Sequence, residues 1–244
     1  MKNHRAKNLP LLLNYGLINN YYLTYTYLWF TINLHIYLDK QHRNAINLII
    51  MPDFKPSKEY LLQRLAEWEK DERYKKFKIG EDTLHSLFKD KYKLNIDIKE
   101  VLIKVCVLNS IYSTNIFDTY TVANHIHSLK IDACLELGSI DIVNKVANVE
   151  FPSGKILNLY SFSSKYCSHH FPDKFPIYDS FVEKMLMYYQ SQNHFYKFQK
   201  IDLKNYKKFY MIIEQFIIFY NITDCSLKQI DIFLWLEGKR LFPL

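Results

Sequence analysis

Apolar residues recur at helical spacing along most of the chain. Ser57, after Pro56, reads as an N-cap, with Glu59 in the first turn of the helix it opens. Leu61, Leu62, Leu65 and Trp68 then share one face, ringed by Lys58, Glu59, Arg64, Glu67 and Glu69. Gly80-Glu81-Asp82 opens a short helix that turns Leu84, Leu87 and Phe88 inward. Asp97 and Glu100 have capping-box spacing. The segment after them, Val101 to Tyr112, is apolar but for Lys104 and Asn109, which predicts a central helix buried on nearly every side. Asp118 caps Thr119 to Leu129, Ser139 caps Ile140 to Val149, and a further helix lies around Leu157 to His169. A proline-bounded turn, Phe171 to Pro176, leads to Asp179, the cap of a helix running to about Tyr189. Asn205 to Tyr220 is amphipathic and aromatic, and Ser226 with Gln229 forms a capping box before Ile230 to Leu236. Roughly nine helices result, and no stretch alternates with the period of a strand. The expected class is all-α.

The first fifty residues break this pattern. From Asn8 to Leu38 no side chain is charged. That length could span a bilayer, but Asn14, Asn19, Asn20, Thr24, Thr26, Asn33 and His35 would meet lipid at a cost. The run Leu9 to Leu13 is short for a signal peptide, and no small-residue cleavage site follows it. Three readings stay open for residues 1–50: a poor membrane anchor, a β-prone or loosely helical surface segment, or an extension outside the fold, with translation starting at Met51. We adopt the third and take 51–244 as a single functional domain.

Composition narrows the function. Only 5 of 244 residues are glycine, while 16% are aromatic. Scarce glycine counts against Rossmann folds and P-loops, and neither phosphate-cradling motif occurs, so no nucleotide cofactor is expected. The formal charge is +7. Lys2, Arg5, Lys7, Lys40 and Arg43 against Asp39 account for the excess in residues 1–50, so the body is only mildly basic. Cys106, Cys134, Cys167 and Cys225 form no C-x-x-C pair, which argues against structural zinc or a disulfide framework and for a reducing, cytoplasmic setting.

Three constellations could carry chemistry. His169 and His170, like His125 and His127, do not have the i,i+4 spacing that lets two ligands on a helix share one ion, so no metal site is expected. Lys200, Lys204, Lys207 and Lys208 interleave with Tyr196, Phe198 and Tyr206, which suits a nucleic-acid backbone with stacked bases; the plain alternative is a solvated helix face. The third is Ser161 to Lys184. Here a helix carrying Lys165 meets a stiff turn fixed by Pro172 and Pro176, and Asp179 opens the next helix. A carboxylate held by helix N-terminal amides stays ionised. A lysine packed beneath such a turn loses charge preference and becomes a nucleophilic amine. The plain alternative makes Asp179 only a cap and Lys165 only a surface or ion-paired residue.

Two stretches carry a family resemblance. Leu108-Asn-Ser-Ile-Tyr-Ser-Thr-Asn115, followed by a helix, resembles the first-domain segment of the helix-hairpin-helix DNA glycosylases, in particular the 8-oxoguanine glycosylase branch. Ser163-Ser-Lys-Tyr-Cys167 followed by Phe175-Pro-Ile-Tyr-Asp179 resembles that family's run from catalytic lysine to catalytic aspartate. The likeness covers roughly residues 100–190. It implies an all-α, two-lobed body that flips a damaged or modified base out of double-stranded DNA. Lys165 would be the nucleophile and Asp179 the activating carboxylate, with lyase activity through a Schiff base. Tyr112, Tyr166 and Tyr178 would stack on the base, and Asn109, Ser113 and Asn115 would hydrogen-bond base or phosphate. No cofactor, metal or membrane is implied. The alternative from another class is a non-catalytic helical module that keeps the fold and binds nucleic acid or a protein.

Overall fold

Six of the helices start where a short polar side chain takes the first free amides. A computed structural model describes residues 55–243. The chain divides into two units, Met1–Asp53 and Phe54–Leu244; the expectations for residues 1–50 lie outside the described residues. Ser57 accepts from the Tyr60 amide (3.2 Å) at the head of α1, Lys58–Lys70. A 3₁₀ turn, Glu72–Tyr74, leads into α2, Lys75–His85, which a π turn extends over Ser86–Lys91. Asp97 caps α3, Ile98–Tyr112, and Asp118 caps α4, Thr119–Ser128. Two short helices follow, α5, Asp132–Leu137, and α6, Asp141–Ala147. Strands β1, Asn148–Glu150, and β2, Ile156–Asn158, pair antiparallel with Val149 opposite Leu157. Then come α7, Tyr160–His170, α8, Ser180–Asn193, a 3₁₀ turn at Lys200–Lys204, α9, Tyr206–Phe219, and α10, Leu227–Leu241. The class is all-α, and among the described residues no helix is long and apolar enough to cross a membrane.

Several expectations are corrected. Gly80 does not open a helix; it sits inside α2, where an added Cβ would stand 3.0 Å from Ile111. Leu62 is exposed and Leu65 only half-buried, because α1 rests on its neighbours through Leu61 and Trp68. Ser139 caps nothing with its side chain, and α6 starts at Asp141. The β hairpin was not expected. Three residues per strand are too few to show period two, and the pairing is closed by the turn in which Gly154 adopts φ 77°.

The core mixes aliphatic side chains with rings. α8 packs on α10, and Gly238 of α10 lies so close to Phe181 of α8 that a Cβ would meet the Phe181 Cβ at 2.6 Å. α3 is less apolar inside than its sequence suggests. Ile103 is exposed, whereas Lys104 is fully buried. Its ammonium donates to the carbonyls of Tyr92 (3.1 Å) and Leu94 (2.8 Å) and to Asn95 Oδ1 (2.7 Å). Tyr166 also donates to Asn95 Oδ1 (2.6 Å), and Asn95 in turn donates to Asp132. Every donor of the buried lysine thus has an acceptor, which is what makes its burial tolerable.

Candidate active site

The turn between α7 and α8 is pinned from three sides. Ser164 Oγ accepts the Tyr178 amide (3.0 Å), Tyr206 donates its hydroxyl to the Pro176 carbonyl (2.9 Å), and Phe175 and Ile177 are buried. Asp179 therefore arrives at a fixed place. Its Oδ1 accepts from Phe181 N (2.8 Å) and Val182 N (2.9 Å), so it caps α8 as its position in the sequence predicted. Lys165 lies in the second turn of α7 and is 4% exposed. Its Nζ donates to Ser161 Oγ, one helical turn earlier, at 2.7 Å and sits 5.2 Å from the centre of the Tyr112 ring.

Lys165 and Asp179 line the same cavity, of about 670 Å³. Tyr112, Ser113 and Tyr178 line it as well. The remaining candidates do not. Asn109 turns back on the end of α3, where its side chain bonds the Ile116 backbone and the Thr114 hydroxyl. Asn115 is exposed in the loop beyond. Tyr166 is fully buried against Phe88 and His170, too deep to stack on a ligand. The basic and aromatic stretch is also resolved. Phe198 and Tyr206 are core residues, Lys200 and Lys204 pair with Glu183 (3.1 and 2.8 Å), and Lys208 pairs with Asp202. That leaves no row of free cations interleaved with free rings.

The cavity holds groups that no sequence motif flagged. Glu81, from α2, accepts from Tyr112 Oη and from Lys228 Nζ of α10, both at 2.5 Å. Tyr112 Oη also lies 3.0 Å from His169 Nε2. With the Tyr112 hydroxyl proton given to Glu81, His169 must donate its Nε2–H to the tyrosine oxygen. Burial pushes His169 down to about 4, against the pull of Glu81, so the ring is neutral at physiological pH. Asp231, also on α10, faces the same space. It is half-buried by area, since the cavity reaches it, yet protein surrounds it on all sides. Burial, opposed by Lys228 and reinforced by Asp179 and Glu81, pushes its carboxyl up to about 7. Burial also lowers the Lys165 ammonium below the ordinary lysine value, and Asp179, Asp231 and Glu81 each work against that. Glu81 itself is held below the usual carboxylate value: burial, the largest single influence, works against its charge, and Lys228, His169 and the Tyr112 hydroxyl together outweigh it.

The lining balances four lysines, Lys165, Lys204, Lys228 and Lys239, against four acids, Glu81, Asp179, Glu183 and Asp231. Rings close the rest, with Trp68, Phe77, Tyr160 and Trp235 among them. A space of this size, walled by rings and converging charged groups, suits a small organic ligand. It holds a lysine whose ammonium burial disfavours, the direction that nucleophilic amine chemistry requires.

Fold and site together define a helical protein built round a lysine–carboxylate cavity. The HI_0787_N family model, an N-terminal domain, matches residues 58–174. An uncharacterized protein of Haemophilus influenzae is 44% identical over 147 residues, which span 60% of this chain and 70% of that protein. The chain belongs to this family. No solved structure matches it. The matched domain includes Glu81, Tyr112 and Lys165 and ends before Asp179, Lys228 and Asp231.

Proposed function

We propose that the chain is a DNA glycosylase with lyase capacity, which removes an oxidised or modified base from double-stranded DNA through Lys165. The observation that carries this is the Lys165 amine, almost wholly buried, shifted toward its neutral form and opening into the cavity that Asp179 also lines. The order of elements fits this reading: the lysine helix α7, a proline-stiffened turn, then a carboxylate at the head of α8. In this reading the two-lobed body holds the flipped base between aromatic walls, with Tyr112 and Tyr178 the rings placed to stack on it. The Lys165 amine attacks C1′, the bond from C1′ to the base breaks, and the base leaves with that electron pair and takes the proton that the attacking nitrogen sheds. Asp179 offsets positive charge that develops on the sugar. Opening of the sugar ring leaves a Schiff base on Lys165. The four free cysteines fit a reducing, cytoplasmic location.

The balanced charge of the cavity favours one other reading, a binding module that keeps the fold without catalysis, because no excess of cations draws a phosphate backbone to it. One experiment separates the two. The full chain is incubated with a duplex carrying one abasic site, borohydride is added, and covalent adduct is measured. An adduct that Lys165→Gln abolishes is the expected result. A folded protein that gives none refutes the lysine mechanism and leaves the module.

A further inference from the structure

We propose that Asp231 is the proton-transfer partner of Lys165: its carboxylate takes the proton that the lysine must shed before attack and returns it when water leaves. The inference rests on reading Lys165 as a Schiff-base nucleophile. Four carboxylates border the cavity, and three are engaged. Glu81 is held by Tyr112 and Lys228, and Glu183 by Tyr178, Lys200 and Lys204. Asp179 is fixed through Oδ1 by the cap amides. Asp231 lines the cavity and makes no hydrogen bond to any described residue, so neither of its oxygens is engaged.

The charged groups facing Asp231 come from every side of the cavity. They are Lys228 on its own helix, Asp179 at the head of α8, Glu81 on α2 and Lys165 on α7. Its charge is also felt at the Tyr112 and Tyr206 hydroxyls, which are raised well above the ordinary tyrosine value chiefly by burial. Two carboxylates disfavour a third charge at Asp231, while two ammonium groups favour it. Asp231, raised toward neutrality, and Lys165, lowered by burial, line one cavity, and the two shifts narrow the gap that a proton passing between them must cross.

The step balances. Lys165–NH₃⁺ and Asp231–COO⁻ become Lys165–NH₂ and Asp231–COOH. The amine lone pair forms the C–N bond to the aldehyde carbon of an opened abasic sugar, and a proton passes from nitrogen to the aldehyde oxygen. Hydroxide then leaves the carbinolamine with the Asp231 proton, as water, while the nitrogen lone pair closes the C=N bond. The iminium keeps the positive charge, and Asp231 returns to carboxylate. The working state of the pair carries a single proton, so rate against pH must rise and then fall.

The test uses the full chain and two aldehydes, the abasic duplex and propionaldehyde. Each is stopped at timed points with borohydride, and the peptide bearing Lys165 is assayed by mass spectrometry. Wild type is expected to give a bell-shaped pH profile with both. Asp231→Asn is expected to lower the maximal rate by about a hundredfold and to replace the bell with a single rise as the lysine loses its proton. Asp231→Glu should restore the bell in part. An Asn variant that keeps the bell, or that only moves its midpoint at unchanged maximal rate, overturns the proposal. Should Asp231→Asn not fold, a wild-type profile without the falling limb overturns it equally. Capture of propionaldehyde with the bell but not of the duplex removes the DNA reading and leaves Asp231 in its role. Capture of the duplex with identical profiles for wild type and Asn variant does the reverse. Capture of neither refutes both.

Discussion

Lys104 offers the sharpest physical test of the fold. Its side chain is fully buried on α3, and burial, against the pull of Asp132 and Glu100, brings its ammonium down to about 8. In the unfolded chain the same group titrates near 10.4. Between these values the unfolded chain holds a proton that the folded chain has lost, so folding stability rises with pH across that window. The slope is about 1.4 kcal/mol per pH unit, and the whole interval is worth about 3 kcal/mol. The penalty is present in full below pH 8 and relieved by about pH 10.4. Lys104→Met removes the titration. It also strips a donor from Asn95 Oδ1 and from the Tyr92 and Leu94 carbonyls, a loss on the order of 1–3 kcal/mol for each acceptor left without water. That loss offsets the two curves and does not change with pH. Urea unfolding of wild type and variant at pH 7, 8, 9 and 10 isolates the lysine, because other titrating groups cancel in the difference. Wild type should gain on the variant by about 2 kcal/mol between pH 8 and pH 10. A difference flat over that range would refute the reasoning and mean that the ammonium is solvated in the native state. The matter bears on the site, since Asn95, which Lys104 anchors, also holds Tyr166 on α7, next to Lys165.

Two further variants test how the site is assembled. Gly238→Ala forces α10 away from Phe181 on α8 and should cost about 1–3 kcal/mol, read as a lower urea midpoint at unchanged slope; an unmoved midpoint would mean that the helix pair shifts freely. Asp179→Asn keeps an oxygen for the Phe181 and Val182 amides, so stability should stay within about 1 kcal/mol of wild type. Adduct formation on the abasic duplex should nevertheless fall, and a variant that traps as well as wild type would reduce Asp179 to a cap.

What the sequence determined by itself was local. Short polar residues at Ser57, Asp97, Asp118, Asp179, Asn205 and Ser226 announce helix starts, because cap bonds form within three residues and owe little to the rest of the chain. The spacing of Lys165 and Asp179 across a proline-stiffened turn was legible for the same reason, and both do line one cavity. Burial of individual side chains was not legible. Lys104 inside and Ile103 outside invert what composition suggests, since α3 presents only one face to its neighbours and a lysine with three acceptors can occupy that face. Tyr166 follows Lys165 in the chain, yet a step of about 100° on the helix carries it out of the cavity and into the core. Glu81, Lys228 and Asp231 form no linear motif with Lys165. Two helices from opposite ends of the domain bring them to it, and long-range packing alone, held at contacts such as Gly238 against Phe181, decides that four acids and four lysines share one cavity.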